Sequence, residues 1–188
     1  MNWQDKLHIL IDAYKQGHSM VRVYFSYEEP PRRADIESKL ESLAQQLELG
    51  PGNAGILQSF RDFYSITDGM IVDVGLKVFG LVKNRFETLE SVNSRFLDLV
   101  MDSVENAHLK PTILISLIFG SDEAGDFLCL SHDGAVIRVG HDATEAPVIA
   151  SSLDVFFNDL CFGFGFIRYY RPNSDDPWVS ILREFGFL

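Results

Sequence analysis

Apolar residues recur at helical spacing from the start of the chain. Trp3, Leu7, Leu10, Ile11 and Tyr14 fall on one face at a period of 3.6 residues, which predicts an amphipathic helix over 3–16. Asn2 is placed to cap it, Asp5 complements its positive end and Gly17 is placed to stop it. The pattern then alternates. Val21, Val23, Phe25 and Tyr27 share a face of "MVRVYFSY", as a strand requires. After the breaker "EEPPRR", Ile36, Leu40, Leu43, Ala44 and Leu47 return to helical spacing until "GPGNAG" stops them. A third helix carries Ile56, Leu57, Phe60, Phe63 and Tyr64 and runs into Asp68-Gly69, where a glycine at positive φ is expected to end it. Tyr64 belongs on the core face, its hydroxyl reaching the edge.

The second half reads mainly as strands. "MIVDVGLKVFGLV" forms two short strands about a turn near Val74-Gly75, and a helix follows through Leu89, Val92, Phe96, Leu99, Val100 and Val104. "TILISLIFG" is a near-continuous apolar run and predicts a buried strand. "FLCLS" and "AVIRVG" are two more, joined by "HDG", in which Asp133-Gly134 predicts a type I′ turn. "APVIA" is a candidate fourth. Leu153, Phe156, Phe157, Leu160 and Cys161 share a short helical face, with Ser151 and Asp154 at capping-box spacing. "FGFGFIRYY" is a candidate strand. Asp176, Pro177 and Gly186 bracket a terminal helix bearing Trp178, Ile181, Leu182 and Phe185. Trp3 and Trp178 are expected to anchor the two ends to the core. Helices, then hairpin-linked strands, then helices make an α+β pattern.

Composition narrows the function. A chain of 188 residues suits a single domain spanning 1–188 with a substantial core, and 46% apolar content with 15 Phe argues against disorder. The net charge of −11 disfavours direct binding to nucleic acid or to an anionic membrane. Cys129 and Cys161 lack CxxC spacing and sit in apolar surroundings, so they read as small buried hydrophobes. The N-terminus lacks a signal-peptide pattern, and the longest apolar run is too short to cross a bilayer. A soluble cytoplasmic setting is expected.

His132-Asp133 and His141-Asp142 raise the question of catalysis. Five steps of the intervening strand span about 16 Å. A zinc ion needs its nitrogen ligands within about 2.1 Å, so both histidines cannot serve one metal from a straight strand. His8, His18 and His108 are scattered, and no HExxH, GxSxG, P-loop or GxGxxG pattern appears in a fitting context. No cofactor and no metal are expected. The stretch instead supplies acids. Between Ser121 and Asp154 stand Asp122, Glu123, Asp126, Asp133, Asp142, Glu145 and Asp154, with Arg138 as the single Lys or Arg. Most fall in turns, so the sheet ends should carry negative potential suited to a basic protein.

Three ordered pieces resemble the SUKH superfamily, which includes a yeast cell-wall-synthesis regulator and bacterial toxin-immunity proteins. They are "FRDFYSITDGM" running into "IVDVGLKVFGL", then "GDFLCLSHDGAVIRV", then "VIASSLDVFFNDL". The resemblance covers roughly residues 35–162. It departs where "GPGNAG" stands in place of Leu-Pro and where Leu153 stands in place of Phe. It implies an α+β domain with a central, mainly antiparallel sheet flanked by helices, and a non-catalytic role. The foremost implied role is immunity: binding and neutralising a basic toxin domain. A regulatory scaffold for a cellular protein or peptide is the alternative, and a hydrolase built on a single His-Asp pair is the third reading. The candidate partner-binding residues are Asp68, Asp122, Glu123, Asp126, Asp133, Asp142 and Glu145.

Overall fold

The N-terminal helix forms as its pattern dictates. In α1 (Trp3–Gln16) the Asn2 side chain accepts the Asp5 N–H at 2.8 Å, and Gly17 closes the helix at φ 87°. The structure is a computed structural model, and it describes residues 1–46, 56–73, 75–82, 88–102, 116–122, 124–140 and 146–188.

The alternating run that follows is not a strand until its last residues. It forms α2 (Ser19–Tyr24), capped by the His18 ring, and only then β1 (Phe25–Tyr27). Val21 is fully buried while Val23 is 71% exposed, so the two do not share a face as a strand would require. Capping at His18 and packing of this turn against its neighbours override the β-branched propensity.

The remaining helices are α3 (Arg33–Gln46), α4 (Ile56–Ile66), α5 (Leu89–Asp102), α6 (Leu153–Val155), α7 (Phe164–Tyr170) and α8 (Pro177–Glu184). A π-helix over Phe156–Cys161 continues α6. The strands are β1, β2 (Met70–Val72), β3 (Leu76–Val78), β4 (Leu117–Ser121), β5 (Phe127–Leu130), β6 (Val136–Val139) and β7 (Val148–Ala150). They pair in sequence order, every neighbour antiparallel, into one seven-stranded meander. This is the α+β architecture that the pattern predicts, with helices flanking an antiparallel sheet.

Turn chemistry fixes the register. Between β5 and β6, the Gly134 N–H donates to the Ser131 carbonyl at 2.9 Å, and the Ser131 N–H to that of Ala135. Gly134 takes φ 87°, while Asp133 keeps an ordinary negative φ. The hairpin is therefore a three-residue loop with one left-handed glycine, not the two-residue type I′ turn.

The π-helix and its surroundings depart furthest from the sequence pattern. "FGFGFIRYY" is helical, because its glycines let α7 press against the preceding turn. A Cβ on Gly163 would lie 2.5 Å from the Asn158 carbonyl oxygen, and one on Gly165 would lie 2.6 Å from the Asp159 carboxylate. The Gly165 N–H donates to Asp159 at 2.9 Å. The cap of α6 is Ser152, whose Oγ accepts the Val155 N–H, not Ser151. The i→i+5 winding leaves carbonyls that both chain ends satisfy. Lys6 Nζ donates to the Phe162 carbonyl at 2.6 Å, and the Trp178 indole donates to that of Cys161 at 3.1 Å. Trp3 packs 4.8 Å from Phe157, centroid to centroid, and donates to Asp154 at 2.7 Å. Trp3 and Trp178 thus anchor the two ends.

The core also sets an alkaline limit on stability. Cys129 and Cys161 are free and buried, and burial pushes both thiols up. Burial likewise raises the Tyr64 and Tyr170 hydroxyls, with a smaller contribution from Asp68 at Tyr64 and from Cys161 at Tyr170. Each group has a folded pKa above its unfolded one. Its stabilising contribution is therefore complete below the unfolded value and is lost as pH rises towards the folded value. Unfolding free energy measured by urea titration should begin to fall near pH 9 as the unfolded thiols ionise, and steepen near pH 10 as the unfolded phenols follow. The fall should be less steep in Cys129→Ala than in the parent chain.

Candidate partner-binding site

The meander sorts the acidic residues onto two opposite ends of the sheet. The β2–β3 turn at Asp73 and the β4–β5 turn over residues 121–127 lie at one end. The β5–β6 turn with Asp133 and the approach to β2 with Asp68 lie at the other. Of the seven candidates, Glu123, Asp142 and Glu145 lie outside the described residues, as does His141. The four that are described do not converge on one surface.

At the first end, Asp122 and Asp126 face inward. Asp122 Oδ1 accepts the backbone N–H groups of Ala124 and Asp126, both at 3.0 Å, which makes the tight turn. Its other oxygen lies 2.9 Å from Arg138 Nε, and Asp126 pairs with Arg138 Nη2. The Asp122 side chain is 2% exposed. Burial works against the Arg138 charge, but Asp122, Tyr169 and Asp126 outweigh it and hold the pKa of Arg138 above its ordinary value. Two of the expected docking acids are thus paired with a cation on β6. The sequence carries a signal for this, since Arg138 is the single Lys or Arg in that acidic span.

Asp68 is likewise engaged inside the fold. It is fully buried, and its carboxylate accepts the Leu81 N–H at 2.5 Å and the Val82 N–H at 3.2 Å. Gly69 follows at φ 95°, where a Cβ would meet the Val78 carbonyl at 2.9 Å. The Tyr64 hydroxyl, also buried, donates to the Phe79 carbonyl at 2.9 Å. Asp68 and Tyr64 together tie the end of α4 to the chain leaving β3.

Asp133 is the described candidate that stands in solvent. Its Oδ1 accepts the Ser131 hydroxyl at 2.5 Å and the Ala135 N–H at 3.3 Å, and these bonds lower its pKa. Its negative charge is therefore secure. His132 beside it is exposed. Among the described residues there is no group of three or more His, Cys, Asp or Glu able to hold a metal ion, and no helix long and apolar enough to cross a membrane.

The family follows from the segment that carries these turns. The family model described as SMI1 / KNR4 family (SUKH-1) matches residues 55–159, from α4 into the π-helix. The chain belongs to the SUKH-1 family. The matched span holds the Tyr64–Asp68–Gly69 unit, the Asp122–Arg138–Asp126 cluster and the Asp133 hairpin. It is narrower than the 35–162 of the sequence resemblance, and Trp3 and Lys6 pack onto it from outside. No curated protein and no solved structure matches the chain.

Proposed function

We propose that this SUKH-1 protein is a non-catalytic, cytoplasmic immunity protein that binds and neutralises the catalytic domain of a basic toxin. The observation that carries the reading is SUKH-1 membership in a chain with a net charge of −11. An acidic surface raises the rate of encounter with a basic partner and makes that rate sensitive to salt. The electrostatic contribution comes from exposed acids such as Asp133, because Asp122 and Asp126 are paired inside the fold. Co-expression with the products of neighbouring genes, followed by affinity capture, tests this. Recovery of a secreted protein's basic C-terminal domain supports immunity; recovery of a cellular regulator or peptide in its place supports the scaffold reading.

Asp133→Asn separates charge from turn geometry, since asparagine retains the side-chain oxygen that holds the hairpin. With the captured partner, stopped-flow association should be slower than for the parent chain at low salt and should converge with it at high salt. An equal rate at low salt removes Asp133 from the interface.

A further inference from the structure

The six residues of α2 are helical against their own pattern. Ser, Val and Tyr rank low as helix formers, and so short a helix gains little from propagation. Its N-terminus is held by the His18 ring. Nδ1 accepts the Val21 N–H at 3.4 Å, and Nε2 lies 3.0 Å from Glu184 Oε1 at the end of α8. The Phe185 ring packs 5.5 Å from the imidazole, centroid to centroid. One nitrogen accepts and the other faces a carboxylate, so the two contacts together assign the neutral tautomer with its proton on Nε2. The capping nitrogen is therefore the one that takes up a proton when the ring becomes charged.

We propose that His18 is a pH-sensitive latch on α2. Protonation of Nδ1 turns the acceptor into a donor that faces the Val21 N–H, and the cap is lost. The same proton gives the Glu184 carboxylate a cationic partner. The ring therefore stays at α8 while the first turn of α2 is released. Val21 is fully buried and keeps the rest of the helix docked. Among the described residues, Glu184 is the charged group that pairs with the ring. The elements packed against α2 are α1, α8 and β1. Lys15 of α1 pairs with Glu29, and so does the Tyr27 hydroxyl of β1, while Arg183 of α8 is exposed. Arg22 of α2 itself donates to the Tyr14 carbonyl at 3.0 Å. The latch thus couples the charge of one side chain to the contact between the two ends of the chain.

NMR of the full chain tests this between about pH 8 and about pH 5, the range over which histidine changes charge. At the alkaline end, the ring nitrogen spectrum of His18 should show an unprotonated Nδ1 and a protonated Nε2. At the acid end both should be protonated. There the exchange protection of the Val21 amide, corrected for the intrinsic pH dependence of exchange, should have fallen about fivefold, the ratio set by the loss of one helix cap. The amides of α1 should keep their protection. His18→Asn supplies an oxygen that caps at every pH, so its Val21 protection should be the same at both ends. Glu184→Ala leaves the tautomer unfixed and should lower Val21 protection already at the alkaline end. A protonated Nδ1 at the alkaline end, Val21 protection that does not change with pH, or the same fall in His18→Asn as in the parent chain overturns the proposal. A fall shared by the amides of α1 is a general loosening of the fold and overturns it as well.

Discussion

Arg138→Ala should lower the unfolding free energy by about 3 kcal/mol, at the lower end of the range for breaking a buried ion pair. The loss comes less from the missing attraction than from what is left behind. Asp122 and Asp126 remain inside the fold as two neighbouring carboxylates with no cation between them. The Arg138 side chain is 32% exposed, so water screens part of the pair and the upper end of the range is not reached. The compensated variant R138M/D122N/D126N separates the two effects. Asparagine at position 122 keeps an oxygen for the backbone N–H groups of residues 124 and 126, and no charge is stranded, so most of the lost stability should return. Urea denaturation of the parent, the single variant and the triple variant checks this. A triple variant as unstable as Arg138→Ala would show that the guanidinium acts through packing and not through charge.

Asp68→Ala should cost about 3 kcal/mol as well, for a different reason. It strands the backbone N–H groups of Leu81 and Val82 where the carboxylate had accepted both. A bond to a charged acceptor is worth about 1.5–3 kcal/mol, and unpaired buried donors add a desolvation penalty. Asp68→Asn keeps one acceptor oxygen and should lose roughly half as much. If thermal denaturation shows Asp68→Ala within about 0.5 kcal/mol of the parent, the residue is not the clamp described above, and its availability to a partner has to be reconsidered.

Sequence pattern alone locates α1, α4, α5, α8 and the β4–β6 core, because those segments carry long, consistent periodicity with caps or turn residues at their ends. It misreads residues 21–24 and 162–170. At Val21–Tyr24 a β-branched alternation is overruled by a helix cap at His18. At Phe162–Tyr170 the glycines serve a close helix–turn contact that no local pattern encodes. The acidic residues can be counted from the sequence, but their direction is not legible there. Sequence gives charge and not orientation, so buried Asp68 and paired Asp122 and Asp126 look the same as exposed Asp133.

If this SUKH-1 protein acts by stoichiometric binding and not by catalysis, the effect must be countable. The most direct measurement is a titration of the captured partner's own enzymatic activity with increasing amounts of this protein. A linear fall to zero at one equivalent is expected, with activity recovered when the complex is dissociated. Undiminished activity at several equivalents would contradict binding as the mode of action, and irreversible loss at a small fraction of an equivalent would mean that the protein turns its partner over.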